Sequence, residues 1–437
     1  MIGLGASGVA AGRLLRSAGL RVYASDAGGG PALESAAELL AKVGAAVELG
    51  GHDLTRIAAA GGVVVSPGVP PDAPPVRAAR EAGVAIRAEA DLGLEALAGV
   101  PWIGVTGTNG KTTITALAAH LLVAAGHRAI AAGNIGTPVS AVALEPEPPA
   151  WLAVELSSFQ LHDTRHLCPA VGILSNLSPD HLDRYPTLEA YYADKARLFL
   201  GADADSTWVI NADDPAVVAM VAEVPGRQVR VSLGGRAEAW LDREAGRLML
   251  GEVALLDRRE LLLLGDHNVA NALMAAAAVH ATGAPVDRLA AGLRTFRALD
   301  HRLEPVAEIG GVLWINDSKA TNIASTAVAV AAMERPFVLL LGGRHKGEPY
   351  TRLIPALQGR CRGVVAYGEA EPLIVADLAG TIPVREAGHD WATAIAAARE
   401  LARPGDAVLL SPACSSFDMF ANYGERGARF RAAAMAG

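Results

Sequence analysis

The chain has 437 residues, more than one core of ordinary size encloses, so two or three domains are expected. Half of the residues are hydrophobic but only 5% are aromatic, a balance that suits parallel sheets under small-residue helices better than an aromatic-rich β-sandwich. A net charge of −8 without a long basic run argues against a nucleic-acid backbone as main partner, and no uncharged apolar run approaches the roughly 18 to 20 residues of a membrane span.

In chain order, the first feature is MIGLGASG, in which Gly3, Gly5 and Gly8 spell G-x-G-x-x-G. Such a turn serves a dinucleotide or another phosphate. Only Met1 and Ile2 precede Gly3, whereas a central parallel strand has about five residues, so a clipped first strand is expected, with the natural start a few residues upstream. Nothing in these residues reads as a secretion signal, and a cytoplasmic protein is expected. Helical stretches from Val9 to Ala18 and Ala32 to Val43 alternate with the apolar runs RVYASD, VVVSPG and VAIRAE, which predicts a small parallel sheet.

A second block contains PWIGVTG, WLAVELSS, VGILSNLS and STWVINADD, again alternating with helix-like segments. It closes after GDHNVANALMAAA and a helix around Asp287 to Phe296. A third block holds VLWINDS, FVLLLGG, GVVAYG and AVLLSPA. No fixed-period repeat is present. The predicted class is α/β, three domains each with an open, mainly parallel sheet: 1–89, 90–298 and 299–437. The unusual polar residues fall directly after the predicted strands, where open α/β sheets bind their ligands.

GVTGTNGKTT, Gly104 to Thr113, follows one such strand and precedes an amphipathic helix. Backbone amides of that turn can face phosphate oxygens, Lys111 can reach the β/γ-phosphates, and Thr112 can ligate Mg²⁺. The first glycine of the strict P-loop pattern would fall at Val105, so the match is one residue short. Glu155 ends the next strand, where a carboxylate can meet a nucleotide-bound metal or simply face solvent. Asp180, His181, Asp183 and Arg184 cluster after a third, and Lys195 sits on a helix that buries Tyr191, Leu198 and Phe199. Asn268 and Asn271 open a helix on one face, as caps or as ligands. Cys168, Cys361 and Cys414 form no metal pattern, and Cys414 is expected to be a buried small hydrophobe.

The chain has 33 arginines and five lysines, Lys42, Lys111, Lys195, Lys319 and Lys346. Four of the five lie within these motifs, which fits retention of lysine where a guanidinium cannot replace a compact amine.

GTNGKTT, ELSSFQL, SPDHLDRY, WINDSKATN and LSPACSSFD, together and in this order, resemble the Mur ligase family over the whole chain, in its D-glutamate-adding branch. GTNGKTT is shared with other ATP-dependent amide ligases such as folylpolyglutamate synthases and does not choose among them alone. A nicotinamide-dependent oxidoreductase built on the first glycines and Asp26 leaves the P-loop, the Asp-His cluster and Lys346 unexplained. A non-catalytic nucleotide switch leaves the third domain's polar clusters unexplained.

The resemblance implies a Rossmann-like N-terminal domain, a central ATPase domain and a Rossmann-like C-terminal domain. It implies that UDP-N-acetylmuramoyl-L-alanine, D-glutamate and ATP are the substrates, with two Mg²⁺ sites. Gly107, Thr108, Asn109, Gly110, Lys111, Thr112, Thr113, Asn268, Asn271, Arg302 and Asp317 would then hold ATP. Ala6, Ser7, Asp26, Ser66, Pro67, Gly68 and Asn134 would hold the uridine-linked substrate, and Thr321, Lys346, Ser416, Phe417 and Tyr423 would hold D-glutamate. Lys111 and Lys319 would face the phosphates, while Thr112, Glu155, His181 and a carbamylated Lys195 would serve the metals. A hinge near Leu299 and Asp300 and a monomeric state are also expected.

Overall fold

The structure, a computed structural model, describes residues 1–181 and 184–436. Two compact units emerge. One comprises residues 1–261 and 270–295; the other comprises residues 262–269 and 296 onward. Among the described residues no helix is long and apolar enough to cross a membrane.

The first unit opens with four short strands, β1 (Tyr23–Asp26), β2 (Ala46–Leu49), β3 (Val63–Val65) and β4 (Ile86–Ala88). β1 pairs with β2 and β3 with β4, both in parallel. Ile2 joins the two pairs, bridging Ser25 on one side and Val65 on the other. Its amide donates to Val64 and the Ser66 amide donates back to it, while Met1 accepts from Ser25. A single residue thus occupies the place of a central strand, and apolar cores form on both faces, one around Leu4, Ala24 and Leu40, the other around Ile2, Val65 and Val76.

The same unit continues as a nine-stranded sheet: β5 (Trp102–Thr106), β6 (Ala129–Gly133), β7 (Trp151–Glu155), β8 (Val171–Leu174), β9 (Thr207–Asn211), β10 (Arg227–Ser232), β11 (Ala239–Asp242), β12 (Arg247–Leu250) and β13 (Val253–Asp257). The order is β13-β12-β11-β10-β9-β8-β5-β7-β6. Strands from β6 across to β11 are parallel, and β12 and β13 run antiparallel at the edge. β5, fully buried, lies between β7 and β8. The chain leaves β5 for the far edge at β6 and returns to β7, so the carboxyl end of β5 is a topological switch point, the place where open α/β sheets bind ligands.

The second unit carries β14 (Glu304–Ile309), β15 (Val312–Asn316), β16 (Phe337–Gly342), β17 (Cys361–Tyr367), β18 (Val384–Glu386) and β19 (Ala407–Leu410) in the order β14-β15-β19-β16-β17-β18. All pairs are parallel except the β14 edge. β16 is apolar throughout and buried on both faces, as a covered parallel sheet requires. Residues 262–269 belong to this unit because Leu264 packs on its core and Gly265 lies against Ala332.

Candidate active site

The turn after β5 is fixed by two glycines. Gly107 has φ +142° and Gly110 has φ +82°, conformations that L side chains rarely adopt. A Cβ on Gly107 would overlap the Ser175 hydroxyl, and one on Gly110 would overlap the side-chain oxygen of Asn271. The helix Lys111–Ala124 then begins with Gly110 in the cap position and no side-chain cap, presenting an amino terminus suited to an anion. Asn176 holds the turn from outside: its Oδ1 accepts from the Asn109 amide at 2.8 Å and its Nδ2 donates to the Asn109 carbonyl at 3.1 Å. Ser175 donates to the same carbonyl at 2.6 Å. Neither Ser175 nor Asn176 stood out as a site residue in the sequence; their position directly after β8, facing the P-loop across one strand spacing, is the signal.

Lysines gather behind this turn. Lys111 Nζ donates to the carbonyls of Gly107 and Thr108 at 3.0 and 2.8 Å. Lys195, in the last turn of the helix Leu188–Ala196, is fully buried and donates to the Gly107 carbonyl at 2.6 Å. Its ammonium sits 4.6 Å from the centre of the Tyr191 ring. Burial, and then the positive charge of Lys111, lower its pKa from 10.5 to about 6. Lys195 is therefore a buried amine whose charge its surroundings disfavour.

Glu155, at the end of β7, is buried; its Oε1 accepts from Asn134 Nδ2 at 3.1 Å, while among the described residues its Oε2 has no hydrogen-bond partner. An orphaned carboxylate oxygen in a buried site fits a hard cation such as Mg²⁺. His181 adopts φ +54° and packs on Phe159, ring centres 5.1 Å apart. Phe159 stacks in turn on Tyr185, which donates to Asp194 at 2.9 Å, next to Lys195. Asp183 lies outside the described residues. Thr108 donates to the Ser178 carbonyl and lies 3.3 Å from the Tyr191 hydroxyl, so the P-loop, the His181 loop and the Lys195 helix are bonded into one assembly.

The glycine loop at the start of the chain belongs to the same unit. Gly3 has φ +85°, and a Cβ on Gly8 would overlap the Gly3 carbonyl, so both are required by the turn. Gly5 differs: its φ is −65° and a Cβ there would meet nothing within 4 Å. Ala6 and Ser7 open the helix Ala6–Ser17, which packs on the short helix Val139–Val142 after Asn134. Asp26 accepts from the Leu4 and Gly28 amides, both at 2.8 Å, and so braces the loop. Ser66 is bonded to Ile2 and lies, with Val69, against Gly3; Pro67 follows it half-buried and Gly68 exposed.

The second unit gathers the remaining predicted residues at the carboxyl ends of β15, β16 and β19. Lys346 Nζ donates to Thr321 Oγ1 at 3.3 Å. Lys319 Nζ lies 5.3 Å from the Tyr423 ring centre. Ser416 is buried, whereas Phe417 is 63% and Tyr423 38% exposed. Asp317 is buried, accepting from Ser411 Oγ at 2.8 Å and from the Leu303 amide at 3.1 Å, beside Arg302, whose charge it feels. Cys414 is buried with its thiol pushed up to about 11 by burial, which disfavours a thiolate at neutral pH. Asn268 donates to the Leu264 carbonyl.

Residues 105–279 match the family model described as Mur ligase middle domain, residues 301–414 match Mur ligase, glutamate ligase domain, and residues 1–88 match Mur ligase MurD-like, N-terminal domain. The chain belongs to the Mur ligase family. Similar relatives include the UDP-N-acetylmuramoylalanine–D-glutamate ligases of Anaeromyxobacter dehalogenans, 43% identical, and Myxococcus xanthus, 42% identical, each over 99% of this chain and 96% of the relative. Among solved structures, the UDP-N-acetylmuramate-alanine ligase of Thermotoga maritima aligns with a TM-score of 0.63 at 18% identity, covering 100% of this chain and 98% of that one. A pseudomurein peptide ligase type C from Methanothermus fervidus aligns at 0.60 and 19%, covering 99% and 98%. The three-part α/β architecture of a Mur ligase is thus shared. The oxidoreductase alternative loses its one support, since the glycine loop lies within the MurD-like match.

Proposed function

We propose that this Mur ligase joins D-glutamate to UDP-N-acetylmuramoyl-L-alanine at the expense of ATP, a step of peptidoglycan precursor synthesis. The similarity to D-glutamate ligases along nearly the whole chain carries the reading. The phosphate-binding turn backed by two lysines supports it independently. Use of ATP and a nucleotide-linked sugar supports a cytoplasmic location for the reaction.

A carboxylate does not acylate an amine in water because oxide is a poor leaving group. Phosphorylation removes that obstacle. The L-alanyl carboxylate attacks the γ-phosphorus, ADP leaves, and an acyl phosphate results. The amine of D-glutamate attacks the acyl carbon, loses a proton, and the tetrahedral adduct expels phosphate. Lys111, Lys319 and the amides of Gly107 to Thr113 neutralise charge on the phosphoryl oxygens as it is transferred. In the first unit Asn271 backs Gly110 of the phosphate turn; in the second, Asn268, Arg302 and Asp317 are the residues for the nucleoside end. Thr112 at one site, and Glu155, His181 and Lys195 at the other, would hold Mg²⁺, which would supply charge neutralisation at the phosphates.

Lys195 serves that site as its carbamate. Its neutral amine would add to CO₂, forming an N–C bond as one C=O π bond opens and one proton departs from nitrogen, so that a neutral amine becomes an anionic oxygen donor. Asn134 orients Glu155 and the acceptor carboxylate. The helix at Ala6 and Ser7, with Asp26, Ser66, Pro67 and Gly68 around it, receives the uridine diphosphate. Thr321, Lys346, Ser416, Phe417 and Tyr423 receive D-glutamate, whose unreacting carboxylates need charged and hydroxyl partners.

The test is phosphate release with UDP-N-acetylmuramoyl-L-alanine and ATP, comparing D-glutamate with L-glutamate, L-alanine and meso-diaminopimelate. Release that depends on D-glutamate is the expected result; release without that dependence refutes the assignment.

A further inference from the structure

The second unit buries a cation that the reaction above leaves unused. Arg426 lies in the first turn of the helix Tyr423–Met435 and is completely buried. Among the described residues its guanidinium meets oxygens of uncharged groups rather than a carboxylate: Nε donates to Ser318 Oγ at 2.9 Å, Nη2 to the Ser318 carbonyl at 2.8 Å, and Nη1 and Nη2 both to the Cys414 carbonyl at 3.2 Å. Ser318 Oγ passes the chain on, donating to the Tyr423 carbonyl at 2.8 Å.

Those two carbonyls belong to different loops. Ser318 stands between Asp317 and Lys319 after β15, two residues before Ala320 and three before Thr321. Cys414 precedes Ser415 and Ser416 after β19, behind Ala413, which is held at φ +56°. A third loop is tied in as well. Arg344 and Ser415 exchange both of their backbone bonds, and a Cβ on Gly343 would press on Ser415 and approach Arg426 Nη1. Lys346 leaves from that loop and reaches Thr321. A planar five-donor fork can satisfy acceptors on two loops at once, whereas an ammonium on a flexible stem cannot hold the same geometry.

We infer that Arg426 is a positioning residue for the amino-acid substrate, acting through the loops it joins and fixing Thr321, Lys346 and Ser416 relative to one another. The inference rests on the reading that these residues receive D-glutamate. Misplacing substrate-holding groups by about an ångström costs up to roughly a hundredfold in reaction efficiency, so a loosened clamp is read first in the amino-acid terms.

The experiment measures KM for D-glutamate and for UDP-N-acetylmuramoyl-L-alanine, with kcat, in Arg426→Lys. The expected result is a KM for D-glutamate raised about tenfold or more, with the KM of the uridine-linked substrate within about twofold of wild type. Methylguanidinium is expected to restore part of the D-glutamate affinity to Arg426→Ala, while methylammonium does not. A folded Arg426→Lys with unchanged KM for D-glutamate, or one in which both KM values rise together, overturns the inference. Should Arg426→Lys fail to fold, Ser318→Ala carries the same test, with a severalfold selective rise expected and an unchanged value overturning it. Lys346→Ala separates the two levels: if it leaves the KM for D-glutamate unchanged, the site reading itself fails.

Discussion

Lys195 Nζ donates to the carbonyl of Gly107 at 2.6 Å, so the lysine proposed to hold metal also braces the turn proposed to hold nucleotide. The two lysines that share this carbonyl, Lys111 and Lys195, lie on different helices, and the charge of Lys111 disfavours that of Lys195. Lys195, the more buried, is the one that gives up its proton.

That shift sets a pH dependence of stability. Lys195 has its folded pKa lowered from 10.5 to about 6, so between those values the unfolded chain binds a proton that the folded chain does not. Its contribution to stability is most unfavourable below about pH 6 and is relieved as pH rises towards 10.5, by at most about 1.4 kcal/mol per pH unit. In CO₂-depleted buffer, Lys195→Met is expected to remove this increment, seen as a smaller gain in unfolding free energy from pH 6.5 to 9 than wild type shows. The same variant is expected to lose activity by about a hundredfold or more, as loss of a metal-supporting group does. Wild-type activity in Lys195→Met contradicts the carbamate.

The P-loop glycines predict a nucleotide-specific defect. Gly110→Ala places a Cβ against the Asn271 side chain at φ +82°, a conformation costing a non-glycine residue about 1 to 2 kcal/mol before the overlap is relieved. Relief requires Asn271 or the turn to move, and both belong to the proposed ATP site. KM for ATP is expected to rise about tenfold or more, with a lowered melting temperature. Both are read from steady-state kinetics and thermal unfolding.

The opening G-x-G-x-x-G separates the demands of fold from those of ligand. Gly8→Ala drives a methyl into the Gly3 carbonyl and is expected to cost about 3 kcal/mol or more, as a buried overlap with backbone does. Gly5→Ala meets no neighbour and has an ordinary φ of −65°. Its melting temperature is expected to stay at the wild-type value while KM for the uridine-linked substrate rises about tenfold, because the backbone can no longer approach a diphosphate closely. A stable Gly5→Ala with unchanged KM rules out diphosphate binding at that residue.

Much of this site was legible because its chemistry sits where strands end. β5, β7 and β8 were readable as apolar runs; Glu155 ends β7, and Lys111 and His181 lie in or at the end of the loops after β5 and β8, so strand ends together with the glycine-rich GTNGKTT motif located the phosphate turn and the acidic strand end. The scarcity of lysine singled out Lys195 and Lys346 before any neighbour was known. Arg426 was not legible: one arginine among 33, in an amphipathic helix, looks like a surface charge until the loops it joins are seen to fold over it. Asn176 was hidden for a related reason, since its partners lie 67 residues away in the chain. The edge strands β11 to β13 were also unforeseen. Their alternation is broken by the short turns at Gly246 and Gly251, both at positive φ, and runs of four or five residues give periodicity too little to work on.

Asp317 supplies the opposite pH signature to Lys195. Burial raises its carboxyl from 3.8 to about 7, against the lowering effect of the Ser411 and Leu303 hydrogen bonds. Between those values the folded chain holds a proton that the unfolded chain has released, so this group's contribution is fully present below about pH 4 and is lost as pH rises through about 7. Asp317→Asn keeps an acceptor for the Leu303 amide, presents Ser411 Oγ with a donor in place of the acceptor it now has, and cannot ionise. The variant is expected to lose less stability than wild type between pH 5 and 8, and to be more stable than wild type at pH 8. Denaturant unfolding at the two pH values measures both quantities, and parallel losses in the two proteins would show that Asp317 is ionised throughout. If the carboxylate also holds the nucleoside of ATP, the same substitution raises KM for ATP most at pH 8, where the wild-type group is charged and accepts hydrogen bonds most strongly.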